Sequence, residues 1–324
     1  SDVYKRQISA ASCNQGCTIY LEPGYWGYVG TSKASQITAP GQITVNFGTV
    51  IEDLIGSNFA DCLYGNGVDN TITGGGGNDS IDGGAGIDTA AYAAKASNYR
   101  LSFSGGNFVV QDKTGQEGTD TLTSIERLQF SDRTVSIESR DHASFADIPS
   151  TIYQFFILAF GAAPGVEYFQ QAADAYRGGA DVRRITNVYC GKSQFLDVYP
   201  LSLSNWDLAV KLVNNVAGNS ATQSAKDSAY IDISTALNNG LSRGDMIYTV
   251  FSNLASYRND PIWGNTAQLF FNQITVAKYY TEVMNQCSTD RPTLTAAISA
   301  VTAASDVSSD AAIVTLIGQG LFGG

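Results

Sequence analysis

A nine-residue period constrains this chain more than any other feature. From Gly56 the sequence runs as consecutive units: Gly56–Tyr64 (GSNFADCLY), Gly65–Thr73 (GNGVDNTIT), Gly74–Asp82 (GGGGNDSID) and Gly83–Ala91 (GGAGIDTAA). Phe47–Ile55 (FGTVIEDLI) is a degenerate leading copy. The sixth position reads Glu52, Asp61, Asn70, Asp79, Asp88, and the eighth reads Leu54, Leu63, Ile72, Ile81, Ala90. A unit this short makes one turn and one short strand, and it buries an apolar side chain only by stacking on its neighbours. The eighth residue is expected to face a thin core. Two units of nine make one coil, so residues 18 apart should lie one above another, Asp61 with Asp79 and Asn70 with Asp88.

The charge pattern gives the stack a chemistry. Between Lys33 and Lys95 there is no Lys or Arg, yet there are seven carboxylates: Glu52, Asp53, Asp61, Asp69, Asp79, Asp82 and Asp88. Carboxylates gathered without bases need another cation. The side chains of Asp61, Asn70, Asp79 and Asp88, with main-chain carbonyls of Gly74, Gly75, Gly77, Gly83, Gly84 and Gly86, form an all-oxygen donor set suited to Ca2+. Magnesium fits less well because it resists dehydration and demands a small octahedron. A phosphate-binding loop occurs once and opens a helix, whereas these turns repeat and each acid would repel phosphate. No segment has the spacing of an EF-hand, and the two periodic columns argue against a flexible linker. By charge count the Asp61–Asp79 pair should hold calcium more tightly than Asn70–Asp88, and Asn70→Asp should strengthen the second.

Composition removes several classes. The 324 residues carry a net charge of −11, which argues against nucleic-acid binding of the usual basic kind. One histidine excludes a zinc site built from two or three imidazoles. Cys13, Cys17, Cys62, Cys190 and Cys287 have no zinc-ribbon spacing. A Cys13–Cys17 disulfide and a set of semi-buried thiols are both open readings. No apolar run reaches the ~20 residues of a membrane span. Ser1–Gln7 (SDVYKRQ) resembles translated adapter sequence and is set aside from fold reasoning; the natural protein is expected to extend upstream.

Gly74–Ala91 resembles the RTX (hemolysin-type) calcium-binding repeat. Asn46–Tyr64 resembles the segment leading into the repeats of serralysin-type secreted metalloproteases, and Gly86–Asp132 the β-rich stretch that follows them. The resemblance covers roughly residues 18–138. It implies a parallel β-roll, a calcium-binding β-solenoid, over 47–91, with flanking β segments at 8–46 and 92–141. It also implies type I export in an unfolded state, a secreted or extracellular location, and folding driven by external calcium. Asn70, Phe59 and Val68 depart from the family pattern. Asp120 reads equally as a further calcium ligand or as a turn residue.

From about Ser150 the period becomes helical. Expected helices cover Ile152–Phe160, Pro164–Tyr176, Ser204–Val216, Ser224–Asn239, Ser242–Tyr257, Thr266–Gln286, Asp290–Ala303 and Ser309–Leu321. The stretches FFILAFGAAPGVEYF, KSQFLDVYP, RGDMIYTVFSNLA and AKYYTEVM resemble a helical domain of unknown function appended to bacterial RTX-repeat proteins. The expected fold class is thus multidomain, a parallel β-roll followed by an all-α domain at 150–322. Gly240–Gly244 satisfies G-x-S-x-G, but a nucleophile elbow must follow a strand. Ser242 reads better as a helix cap with Asp245 three residues on. The expected function is calcium binding in a non-catalytic part of a secreted protein, with cell-surface or self-association through the helical part. Alternatives are the end of a serralysin-like zinc protease whose catalytic domain lies elsewhere, or a surface-layer or adhesion protein.

Overall fold

The computed structural model describes residues 6–323. Of the stretch set aside above, Ser1–Lys5 lies outside the described residues, while Gln7 opens the first strand. The chain divides into two units, Ser1–Ser139 with Leu321–Gly324, and Arg140–Gly320.

The first unit contains strands β1 (Gln7–Ser9), β2 (Cys17–Tyr20), β3 (Trp26–Val29), β4 (Gln42–Thr44), β5 (Asp53–Ile55), β6 (Cys62–Asn66), β7 (Thr71–Thr73), β8 (Ser80–Gly84), β9 (Thr89–Ala91), β10 (Tyr99–Ser104), β11 (Asn107–Asp112), β12 (Thr119–Thr123), β13 (Arg127–Gln129) and β14 (Thr134–Ser136). They form a six-stranded sheet in the order β1-β5-β7-β9-β13-β14 and an eight-stranded sheet in the order β10-β11-β12-β8-β6-β2-β3-β4. Successive repeat units alternate between the sheets. Leu54 pairs with Ile72 and Ile72 with Ala90 in one; Leu63 pairs with Ile81 in the other. These five eighth-position side chains are buried, none more than 1% exposed. The same columns continue outside the repeat, with Ile19 beside Leu63, Leu122 beside Ile81 and Leu128 beside Ala90.

This corrects the expected fold class. The fold is not a parallel β-roll with separate flanking segments and an all-α domain after it, but a mixture of strands and helices containing two mixed sheets. Parallel pairs lie in their middle, and antiparallel pairs β2–β3, β3–β4, β10–β11, β11–β12 and β13–β14 lie beyond. The physical reason is the open edge. Short repeat strands leave rows of unpaired N–H and C=O groups at both ends of each stack. β1, β13, β2 and β12 take up those groups in parallel register, and antiparallel neighbours extend the sheets beyond β13, β2 and β12. Gly105 and Gly106, both at positive φ, make the reversal between β10 and β11.

Helices follow: α1 (Thr151–Phe160), α2 (Val166–Arg177), α3 (Val182–Tyr189), α4 (Ser193–Val198), α5 (Asn205–Ala217), α6 (Gln223–Asn238), α7 (Arg243–Ser256), α8 (Gly264–Glu282), α9 (Arg291–Ser299) and α10 (Asp310–Phe322). In the second unit α1 is the centre. It is apolar on nearly every face, its residues from Ile152 to Ala159 are all buried, and it packs against α5, α7 and α8. Its terminal carbonyls are satisfied from outside: Tyr199 Oη donates to the Ala159 carbonyl at 2.7 Å, and Asn215 Nδ2 donates to Tyr199 Oη at 2.8 Å. Side-chain caps at Asp181, Ser204, Thr222, Ser242 and Asp290 set the starts of α3, α5, α6, α7 and α9.

Two expected boundaries moved for tertiary reasons. Pro164 lies before α2 rather than in its first turn, because its carbonyl accepts from Thr281 Oγ1 at 2.6 Å and Val166 N–H donates to the Gln286 carbonyl at 2.8 Å. α8 stops at Glu282, and Asn285, at φ 54°, turns the chain away. The short helix α4 had no periodic signal. Among the described residues no helix is long and apolar enough to cross a membrane.

Candidate metal centre

The register sets Cys62 beside Ser80 and Thr71 beside Thr89, so Asp61 and Asp79, and likewise Asn70 and Asp88, are one coil apart. All four are buried, at 3% exposure or less. Each pair is joined by a side chain reaching to main chain: Asp61 N–H donates to Asp79 Oδ1 at 2.9 Å, and Asn70 N–H to Asp88 Oδ1 at 2.7 Å. Both ladders extend past the repeat. Cys17 N–H donates to Asp61 Oδ1 at 2.6 Å, Asp79 N–H to Asp120 Oδ1 at 3.0 Å, and Asp88 N–H to Glu126 Oε2 at 2.7 Å.

The ladders do not use their oxygens equally. Asp61 is saturated, since Ser57 donates both N–H (2.6 Å) and Oγ–H (3.0 Å) to its carboxylate. Asn70 is also fully engaged: Oδ1 accepts from Asn66 N–H at 2.8 Å and Nδ2 donates to the Ile51 carbonyl at 3.0 Å. Asp79 Oδ2 and Asp88 Oδ2 are buried without any partner. Leaving a buried acceptor unsatisfied costs about 1–3 kcal/mol, and more if it is charged. Burial accordingly pushes the Asp88 carboxyl up to about 7, although the Asn70 N–H bond opposes it. Asp79 is also raised, first by burial and then by the neighbouring Asp120 carboxylate, and burial raises Asp120 in turn.

Glycine at the turns keeps space beside these oxygens. Gly74, Gly75 and Gly77 lie between β7 and β8, Gly83 and Gly84 close β8, and Gly86 lies between β8 and β9. A Cβ on Gly74 would collide with Asp79 Oδ2, and one on Gly83 with the Asp88 carboxyl and the Ser124 carbonyl. At Gly56 the carbonyl of Gly74 and Asp61 Oδ2 converge on the missing Cβ, and at Gly65 the carbonyl of Gly83 and Asn70 Oδ1 do the same. The close approaches thus bring the Gly74 carbonyl to Asp61, the Gly83 carbonyl to Asn70 and the Ser124 carbonyl to Asp88. Gly77, at φ 114°, holds a conformation that other residues rarely adopt.

This donor set fits a hard cation in type and charge: oxygen donors throughout, two of them partnerless, and no imidazole. The nearby Cys17 thiol is pushed far up, chiefly by burial and then by Asp61, so it offers no thiolate. Among the described residues no three His, Cys, Asp or Glu side chains group to hold a metal by themselves. An ion here would therefore depend on main-chain carbonyls. Asp120 belongs to the Asp79 ladder, not to a turn, since it sits in β12 and is 2% exposed. Glu126 carried no sequence signal, because it lies off the nine-residue period. The Asp61–Asp79 ranking rested on counting charges, and the saturated Asp61 carboxylate removes its basis.

Cys13 and Cys17 are not joined by a disulfide, and Cys62 and Cys190 are likewise free thiols. Ser242 caps α7, accepting from Asp245 N–H at 3.0 Å and donating to Asn187 Oδ1 at 3.0 Å, and the element before it is helix α6. Comparison with protein-family models and with curated proteins gives no match to this chain.

Proposed function

We propose that the first unit binds calcium and serves as a calcium-dependent, non-catalytic structural part of a secreted protein. The supporting observation is the pair of buried, partnerless oxygens, Asp79 Oδ2 and Asp88 Oδ2, in a segment with no bases. A bound ion supplies the positive charge that the buried carboxylates lack. Asp79 and Asp88, which precede strands of different sheets, would each hold an ion through its free oxygen, with main-chain carbonyls of the turns as further donors. Asp61 and Asn70 would act as positioning residues, since their side chains are engaged in fixing Ser57 and Asn66. The resemblance to RTX repeats supports an extracellular setting, where calcium modules bind at about 10⁻⁴–10⁻³ M. Folding and binding would then be coupled, because uncompensated buried carboxylates oppose compaction until a cation arrives.

Calorimetric titration of the full chain with calcium and with magnesium, paired with circular dichroism in EGTA, tests this reading. Saturable calcium binding with a gain of β signal is expected. No calcium heat, with a full β signal in EGTA, would instead mark the ladders as neutral hydrogen-bonded stacks of protonated carboxyls.

A further inference from the structure

The second unit contains a cavity of about 300 Å³ between the end of α1, the segment before α2, and the starts of α4 and α9. Phe156, Phe160, Pro164, Tyr189 and Leu294 supply apolar walls. Lys192, Gln194, Asp197, Thr289 and Arg291 on one side of it are exposed, so the space is a cleft that opens to solvent over an apolar floor. Its walls are braced: Ala163 N–H donates to the Leu294 carbonyl at 3.0 Å, Thr281 Oγ1 to the Pro164 carbonyl at 2.6 Å, and Tyr189 Oη to the Tyr168 carbonyl at 3.0 Å. These bonds hold the space open, and the last turns a tyrosine hydroxyl away from use as a ligand donor.

The mouth is charged against the trend of the molecule. Lys192 and Arg291 line it with Asp197 as the one carboxylate, a local excess of positive charge on a chain of net charge −11. Neither the Lys192 ammonium nor the Arg291 guanidinium has an ion-pair or hydrogen-bond partner among the described residues. A cavity of ~150 Å³ holds benzene, so twice that volume holds an apolar body of roughly eight to ten carbons. We infer that this cavity binds a medium-chain alkyl carboxylate, its chain among the aromatic and aliphatic walls and its carboxylate between Lys192 and Arg291. An apolar body with one placed polar group is the usual composition of a small-molecule site. Two unpaired cations select the anionic headgroup over a neutral or cationic one.

The test is calorimetric titration of the full chain with octanoate, octan-1-ol and octylammonium, which share one chain and differ in charge. One saturable octanoate site is expected, with octan-1-ol weaker by about tenfold or more and octylammonium not bound. Lys192→Gln with Arg291→Gln should weaken octanoate by about tenfold or more and leave octan-1-ol unchanged. Both side chains are exposed, so the double variant should melt like the parent. Ala163→Phe, which fills the cavity, should abolish binding of both. No saturable octanoate binding in the millimolar range, equal binding of all three probes, or a double variant that binds octanoate like the parent would overturn the inference.

Discussion

Replacing Asp79 by Asn separates the two uses of that side chain. The amide keeps Oδ1 as acceptor for Asp61 N–H, now at 2.9 Å, and removes the carboxylate that would hold a cation through the partnerless Oδ2. Without metal at about pH 8 the variant should be more stable than the parent by about 1–3 kcal/mol, since a buried unsatisfied anionic oxygen disappears. Calcium works against that gain. A site of Kd ~10⁻⁴ M in ~10 mM calcium contributes about 2.7 kcal/mol, and a tenfold weaker site contributes about 1.4 kcal/mol. The calcium increment should therefore shrink by about half while metal-free stability rises. Urea unfolding of the full chain in EGTA and in ~10 mM calcium, followed by circular dichroism, measures both quantities. The two units call for separate fits of any two transitions. A variant less stable in EGTA, with the parent's full calcium increment, would refute both the burial penalty and the ligand role.

Metal-free stability of the first unit should fall as pH rises from about 4 to about 7. The Asp88 carboxyl is raised by burial, so the fold binds its proton more tightly than the unfolded chain, and that stability is lost as pH passes the folded value of about 7; thermal melts in EGTA should show the fall and saturating calcium should remove it. Asn70→Asp should destabilise the metal-free chain by about 1–3 kcal/mol rather than help it, because the new carboxylate loses the Nδ2 donation and faces the Ile51 carbonyl; urea unfolding in EGTA checks this. Ser242→Ala should cost the second unit about 0.5–2 kcal/mol as a lost cap and leave calcium titrations unchanged; unfolding curves with a calcium titration of the same variant check both halves.

The legible part of the site was its periodicity. Asp61, Asn70, Asp79 and Asp88 stand at one position of a nine-residue unit, and the register does set them one coil apart. Their division of labour was not legible. Asp61 and Asp79 look alike in sequence, yet Ser57 and Cys17 saturate the first and leave the second an oxygen short. That depends on which main-chain N–H groups arrive from elsewhere, and Cys17 lies 44 residues from Asp61. Helix starts read well where a Ser, Thr or Asp caps locally, as at Ser204 and Ser242. They read poorly where a distant partner intervenes, as Thr281 does at Pro164.

The sequence by itself determined the nine-residue repeat, the buried column from Leu54 to Ala90, and a run of acids without bases. Each follows from side-chain chemistry recurring at fixed spacing, which a local reading captures. Only the tertiary structure decided that the stacked strands are the middle of two mixed sheets, that Asp120 and Glu126 continue the polar ladders, and that Asp79 and Asp88 keep one free oxygen each. A strand edge must find hydrogen-bond partners wherever the chain can bring them. A carboxylate's last lone pairs are filled or left by those same distant groups, and periodicity carries no information about them.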